Sequence, residues 1–115
     1  MTTQIRTTGV ELTREDRAYI KRRVEAKVRK FAQSVDEVDV RLADVNGPKG
    51  GVDKVCKARV LVPGLPNVLV ERRHQSARAA VDGTMDATER AVRKILGRRR
   101  SAPRRGGPAS SGPSV

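Results

Sequence analysis

Hydrophobic and polar positions recur with two different periods along the chain, and the change of period separates helices from strands. Apolar residues spaced three or four apart predict one helix from Thr13 to about Ala32 and a second from Ser76 to Gly97. Period-two alternation or short β-branched runs predict strands at 4–8, 37–45, 53–62 and about 67–73. The predicted order of elements is therefore β-α-β-β-β-α.

Each predicted helix begins at a residue suited to capping. Thr13 is followed three residues later by Asp16, which is the spacing of a capping box, and Ser76 can cap the second helix. The apolar stripe of the first helix consists of Ile20, Val24, Val28 and Phe31. The stripe of the second consists of Ala77, Ala80, Val81, Thr84, Thr88, Ala91, Val92 and Ile95. Both helices should pack one face on a shared core.

The connections predict how these elements assemble. Short loops between strands two, three and four favour an antiparallel meander, and both helices then cover one face of a four-stranded sheet in an α+β fold. At 115 residues the chain has room for one domain, predicted at 1–97. The composition of 98–115, rich in Arg, Pro, Gly and Ser, predicts a disordered basic tail.

The charge of the chain indicates a polyanionic partner. The sequence holds 25 Lys and Arg against 13 Asp and Glu, a net charge of +12. Only five of the cations lie beyond Gly97, so the predicted domain is basic by itself. The two aromatic residues, Tyr19 and Phe31, fall in a predicted helix, whereas domains that stack RNA bases present aromatics on a sheet. Binding to RNA phosphates and RNA shape is the better interpretation.

Helical spacing places basic residues along an edge of each helix. Arg90, Lys94 and Arg98 form one edge, continued by the small residues Gly83 and Ala87, which would allow a phosphate backbone to come close. A less ordered edge on the first helix has Arg23, Lys27 and Lys30. The predicted RNA-binding residues are Arg22, Arg23, Lys27, Lys30, Arg90, Arg93, Lys94, Arg98 and Arg99. The alternative is that these are ordinary solvated helix faces.

Three carboxylates share the second helix. Asp82, Asp86 and Glu89 have a spacing that would suit a metal site, but ion pairs four residues apart are the simpler expectation. These pairs would join Arg78 to Asp82 and Asp86 to Arg90.

The remaining chemistry-bearing residues do not form a catalytic set. Cys56 alternates with apolar strand residues and should lie in the core, and His74 is the only histidine, so neither a Cys/His dyad nor a zinc site is expected. Residues 47–50 match the GxxG of KH domains, but they join two strands rather than two helices, so a hairpin turn explains them. We expect no enzyme activity, cofactor, metal, small-molecule substrate or membrane association, and a cytoplasmic location.

Two motifs resemble one known family. Ala79-Ala-Val-Asp-Gly83, with Asp86, Arg90 and Lys94 after it, resembles the signature that opens the second helix of the ribosome hibernation-promoting factor and ribosome-associated inhibitor A family. Leu12-Thr13, Tyr19-Ile20 and Arg22-Arg-Val24 resemble the pattern of that family's first helix. The resemblance covers about residues 3–100. It departs at Ser76-Ala77-Arg78, where the family usually has an Asp-Leu-Tyr-like sequence.

The resemblance implies a function as well as a fold. Family membership implies a double-stranded-RNA-binding-like fold that binds ribosomal RNA of the small subunit, in the path of messenger and transfer RNA. The protein would inhibit translation and preserve idle ribosomes under stress, as a short form without the family's C-terminal dimerisation domain, monomeric off the ribosome. The residues alone leave open a general double-stranded RNA binder, a protein-interaction module, and an RNA chaperone driven by the tail.

Overall fold

A computed structural model describes residues 2–45 and 53–105, with side chains described up to residue 97. The strands are β1 (Thr2–Thr8), β2 (Glu37–Asp44), β3 (Lys54–Leu61) and β4 (Val68–His74). The helices are α1 (Arg14–Arg29) and α2 (Ala77–Arg105), and a short 3-10 helix (Ala32–Ser34) follows α1. The predicted α+β fold and the order β-α-β-β-β-α are confirmed. The predicted turn and its GxxG match, at 46–51, lie outside the described residues.

The four strands form one mixed sheet in the order β1-β2-β3-β4. β1 runs parallel to β2, which requires the crossover that α1 provides. β2, β3 and β4 are antiparallel neighbours, so the predicted meander is confirmed. Gly9 leaves β1 with a φ of 67°, a left-handed conformation that glycine adopts without steric cost.

The core lies between the sheet and the two helices. Every residue of the predicted α1 stripe is buried, and Val24 is fully so. The side chains that meet these helices come from one face of the central strands, and they include Val38, Val40, Leu42, Cys56, Ala58 and Val60. Both helices therefore cover the same face, as the pattern predicted.

Two buried threonines of α2 explain how a polar stripe can face the core. The Thr84 hydroxyl donates a hydrogen bond of 3.2 Å to the Cys56 carbonyl of β3, and the Thr88 hydroxyl donates one of 2.7 Å to the Thr84 carbonyl. Burial raises the pKa of the Cys56 thiol to about 11, so this cysteine is a packing residue. Met85, which the predicted stripe did not include, is also fully buried.

Both helix starts are as the sequence predicted. The Thr13 hydroxyl accepts a hydrogen bond from the Asp16 amide at 3.0 Å, and the Asp16 carboxylate accepts one from the Thr13 amide at 3.1 Å. The Ser76 hydroxyl accepts a bond of 3.3 Å from the Ala79 amide. These contacts satisfy amide groups that a helix start otherwise leaves unpaired.

The end of α2 differs from the prediction. The sequence predicted a helix end at Gly97 followed by a disordered tail, but the helix continues to Arg105. A glycine costs a helix only about 1 kcal/mol relative to alanine, and the arginines that follow are good helix formers. Residues 106–115 of the predicted tail lie outside the described residues.

Candidate nucleic-acid interface

The two helices lie side by side and run in the same direction. Side chains that touch across them differ by 59 to 63 positions, as in the hydrogen bond from Arg78 to Asp16 and the ion pair of Arg23 with Asp82. The amino end of α1 is consequently level with the amino end of α2. This narrow range of offsets, about one helical turn wide, aligns a row of α1 cations with a row of α2 acids.

The three acids of α2 all pair with cations of α1, and Glu89 also pairs with Arg93 of its own helix. Asp82 lies 3.0 Å from the Nε of Arg23, Asp86 lies 2.8 Å from the Nζ of Lys27, and Glu89 lies 2.8 Å from the same Nζ. The predicted pairs of Arg78 with Asp82 and of Asp86 with Arg90 are therefore wrong. The neighbouring helix offers these carboxylates better-placed cations than their own helix does.

Lys27 is the centre of this interhelical network. Only 14% of its side chain is exposed, and it bridges Asp86 and Glu89. The hydrogen bond to Asp86, supported by the one to Glu89, raises the pKa of Lys27. The same lysine lowers the pKa of both carboxyls, so all three groups are charged at neutral pH.

The upper end of the network contains the chain's single tyrosine. The Tyr19 hydroxyl donates a hydrogen bond of 2.7 Å to Asp82, which raises the pKa of the phenol. The Arg78 guanidinium lies 4.7 Å from the centre of the Tyr19 ring and 2.8 Å from an oxygen of Asp16. Arg23 approaches Asp82 at an angle that makes an ion pair without a hydrogen bond. Arg78, where the sequence departs from the family pattern, thus joins the two helices.

The lower end of the network holds two more of the predicted RNA-binding residues. Lys30 lies 3.5 Å from Glu89, and the guanidinium of Arg93 also pairs with Glu89. Their side chains are 54% and 71% exposed, so they remain accessible to a ligand. Their charge is nevertheless partly neutralised within the fold.

A different part of α2 carries cations without such partners. Arg90 and Lys94 are exposed, and within the described part of the chain neither has a carboxylate within ion-pair distance. Arg22 on α1 is likewise exposed and without an ion pair among those residues. The side chains of Arg98 and Arg99 lie outside the described residues.

The strand next to α2 adds a cation that the sequence analysis missed. Arg72 of β4 is paired with Cys56 of β3, so its side chain leaves the sheet on the helix side. A Cβ built on Gly83 would lie 3.9 Å from the Cγ of Arg72. The signal was present in the sequence, because Arg72 follows Val68 and Val70 at period two.

Arg72, Arg90 and Lys94 form one surface, which we call the α2 edge. Gly83, Arg90 and Lys94 lie on one side of the helix. Gly83 is about two turns before Arg90. The sequence predicted that Gly83 and Ala87 would both let a phosphate backbone come close to this edge. Ala87 is only 8% exposed, so Gly83 beside Arg72 is the position where a backbone could come close.

This edge has the properties of a surface for phosphates. Cations without carboxylate partners release counterions when they meet a polyanion, whereas paired cations must first give up their partners.

No group of three His, Cys, Asp or Glu side chains in the described part of the chain is placed to hold a metal ion. No helix there is long and apolar enough to cross a membrane.

A family model decides the family of this chain. Residues 3–100 match the model described as sigma 54 modulation protein / S30EA ribosomal protein. The chain belongs to this family. The resemblance to the ribosome hibernation-promoting factors is thereby confirmed, and the chain is a member of a ribosome-associated, non-enzymatic family.

Solved structures show the same fold. A ribosomal subunit interface protein from Coxiella burnetii is 16% identical, with a TM-score of 0.66 over 84% of this chain and 99% of that one. The N-terminal domain of Protein Y from Thermus thermophilus is 23% identical, with a TM-score of 0.58 over 79% of this chain and 93% of that one. No curated protein matches this chain.

Proposed function

We propose that this protein binds the small ribosomal subunit through ribosomal RNA, in the path of messenger and transfer RNA, and inhibits translation while idle ribosomes are preserved. Membership of the S30EA family supports a ribosomal partner. A partner of this kind implies a cytoplasmic location. Inhibition would be steric, since a folded domain in that path excludes the RNAs that translation needs.

The α2 edge is the observation that carries the RNA part of this proposal. Among the described residues, Arg72, Arg90 and Lys94 make no ion pair with a carboxylate, while Arg23 and Lys27 are held by acids of α2. Phosphate contacts fix position and orientation without reading sequence. The α2 edge should therefore dominate binding, and Lys27 should contribute little.

Sedimentation with isolated small subunits tests the proposed site. Wild-type protein should co-sediment, and messenger RNA together with initiator transfer RNA should displace it, because both would occupy the same path. Binding that persists under saturating competitor would contradict the proposed location. An arbitrary RNA duplex that competes as well as the subunit does would indicate general double-stranded RNA binding.

A matched pair of variants tests the surface. Replacing the α2 edge (Arg72→Thr, Arg90→Ala, Lys94→Ala) removes three charges and should weaken subunit binding at least a hundredfold at physiological salt. The control (Arg14→Ala, Arg17→Ala, Lys21→Ala) removes three exposed charges from the outer side of α1. We expect the control to bind within a few-fold of wild type. Equal losses in both variants would mean that net charge, and not this edge, determines binding.

A further inference from the structure

In the part of the chain that the structure describes, one face of the sheet has no helix over it. Because side chains alternate along a strand, the residues between the buried positions of β2 and β3 point away from both helices. Among the described residues this face carries five cations, which are Arg6, Arg41, Lys57, Arg59 and Arg73. It carries three carboxylates, which are Glu37, Asp39 and Glu71.

Three of these cations form a row across three strands. Arg6 of β1 is paired with Arg41 of β2, and Arg41 is paired with Lys57 of β3. Neighbouring strands are about 4.8 Å apart, so the row spans about 10 Å. Like charges placed directly opposite each other destabilise a sheet. We call these three residues the sheet row.

The carboxylates around the sheet row leave its cations largely exposed. Asp39 lies 3.3 Å from Arg41, and Glu71 lies 3.8 Å from Lys57. The side chains of Arg41 and Lys57 remain 59% and 64% exposed. The pair of Lys57 with Glu71 is exposed and worth at most about 1 kcal/mol, so a phosphate could replace that carboxylate. The side chain of Asp39 is only 5% exposed, so a phosphate would bind Arg41 beside this carboxylate and would not replace it.

The shape of the face is suited to an extended ligand. A depression of about 410 Å³ lies over β2, β3 and β4, and its walls hold three cations, Arg41, Lys57 and Arg59, and two carboxylates, Asp39 and Glu71. Leu69 on its border is 71% exposed, and the described part of this face has no aromatic side chain on which a base could stack. The surface fits a sugar-phosphate backbone better than an unstacked base.

We propose that the uncovered sheet face binds the phosphate backbone of a second RNA segment, so that one domain bridges two RNA segments. This rests on the proposed function, in which the α2 edge binds the first segment. The two surfaces lie on opposite sides of the sheet, so two RNA segments could bind them at the same time. The excess of cations and their alignment across β1, β2 and β3 select RNA over an acidic protein as the occupant.

Fluorescence transfer between two labelled RNA duplexes tests bridging directly. One duplex carries a donor and the other an acceptor, and full-length wild-type protein should produce transfer when it is present at half the total duplex concentration. The sheet-row variant (Arg6→Thr, Arg41→Thr, Lys57→Thr) should abolish the transfer while it still binds one duplex. Threonine is chosen because it suits exposed strand positions.

Three further measurements make the result decisive. The slope of log affinity against log salt should fall by about 2.7 in the sheet-row variant, since each lost phosphate contact removes about 0.9. The α1 control, with Arg14, Arg17 and Lys21 replaced by alanine, should keep the transfer. If the threonine variant does not fold, as judged by circular dichroism, the variant Arg6→Gln, Arg41→Gln, Lys57→Gln takes its place.

Several outcomes would overturn the proposal. Unchanged transfer in the sheet-row variant, or equal loss in the α1 control, would show that the sheet row does not bridge RNA. The face would be assigned to protein binding if the sheet-row variant still bridged two duplexes but lost a protein partner that wild type keeps after nuclease treatment. Because duplex bridging is measured without ribosomes, its failure is distinct from failure of the α2-edge variant to lose subunit binding.

Discussion

Lys27 illustrates why single residues of this chain could not be assigned from their own helix. The sequence places it on a basic edge of α1, and that edge exists. The edge, however, faces α2, where Asp86 and Glu89 lie 2.8 Å from its ammonium group. A cation in that position stabilises the packing of two helices, and its charge is compensated before any RNA arrives.

The pH dependence of stability should show this compensation. The pKa values of Asp86 and Glu89 are lowered in the fold, so both carboxylates stabilise it at a pH above their ordinary pKa values of 3.8 and 4.5. This contribution is lost as the pH falls through the lowered pKa values. The raised pKa of Lys27 contributes fully below its ordinary value of 10.5 and is lost only as the pH rises above that value. The network should therefore contribute fully between about pH 5 and pH 10.

The variant Lys27→Met isolates the contribution of that lysine. It should lower the free energy of unfolding by about 1 kcal/mol at pH 7, where an ion-paired group loses its partners. The difference from wild type should shrink below pH 4, because protonated carboxyls no longer attract the ammonium group. Urea unfolding at pH 3, 5 and 7 measures it, and a difference that stays constant over this range would contradict the assignment.

Other residues were predicted correctly because their partners are close in sequence. Thr13 and Asp16 are three residues apart, so the capping box needs no knowledge of the tertiary fold. The interhelical pairs span 59 to 63 residues and depend on how α1 lies against α2. The matching spacing of the cations on α1 and the acids on α2 was the only sign of them in the sequence.

Among the elements, α2 contributes three surfaces at once. One side buries Val81, Met85 and Val92 in the core, a second pairs with α1, and a third presents Arg90 and Lys94. Hydrophobic periodicity predicted the first surface and charge spacing predicted the third. The second was missed because acids on a basic helix were expected to pair along it.

At Gly83, a substitution that stabilises the helix should weaken binding of a phosphate at the α2 edge. A Cβ there would meet only the Cγ of Arg72 at 3.9 Å, an ordinary contact, so Gly83→Ala should raise stability by about 0.5–1 kcal/mol through helix propensity. The added methyl would stand between the helix and an approaching phosphate. We expect a higher melting temperature and weaker subunit binding.

The control for Gly83 is the exposed glycine further along the same helix. A Cβ on Gly97 would meet nothing within 4 Å, so Gly97→Ala should stabilise the helix in the same way without affecting binding at the α2 edge. If both variants bind subunits equally well, close backbone approach at Gly83 is not part of recognition.

For the whole molecule, net charge and its distribution give different information. The charge of +12 indicates a polyanion but no surface, since cations occur on both helices, on the open sheet face and beyond the domain. Ion pairing separates them, because the interhelical cations are compensated and those of the α2 edge are not. That distinction needs tertiary contacts, which composition cannot supply.

Salt dependence of binding tests the electrostatic account for the whole molecule. If about six phosphates are neutralised, affinity for the small subunit should fall about a thousandfold between 50 and 200 mM monovalent salt. Equilibrium binding measured at four or more salt concentrations gives the slope directly. A flat response would show that nonelectrostatic contacts dominate, in contradiction to the proposed interface.

The parallel arrangement of the helices also gives the molecule a polarity of its own. In an antiparallel pair the two backbone dipoles cancel, whereas here they add, and the level amino ends together carry about one positive charge that belongs to no side chain. Glu15 and Asp16 offset the share of α1, whereas the first turn of α2 contains no acid. A variant without its surface lysines and arginines would therefore keep a partial positive charge only at the start of α2, and charge-removal experiments do not remove that contribution of the backbone.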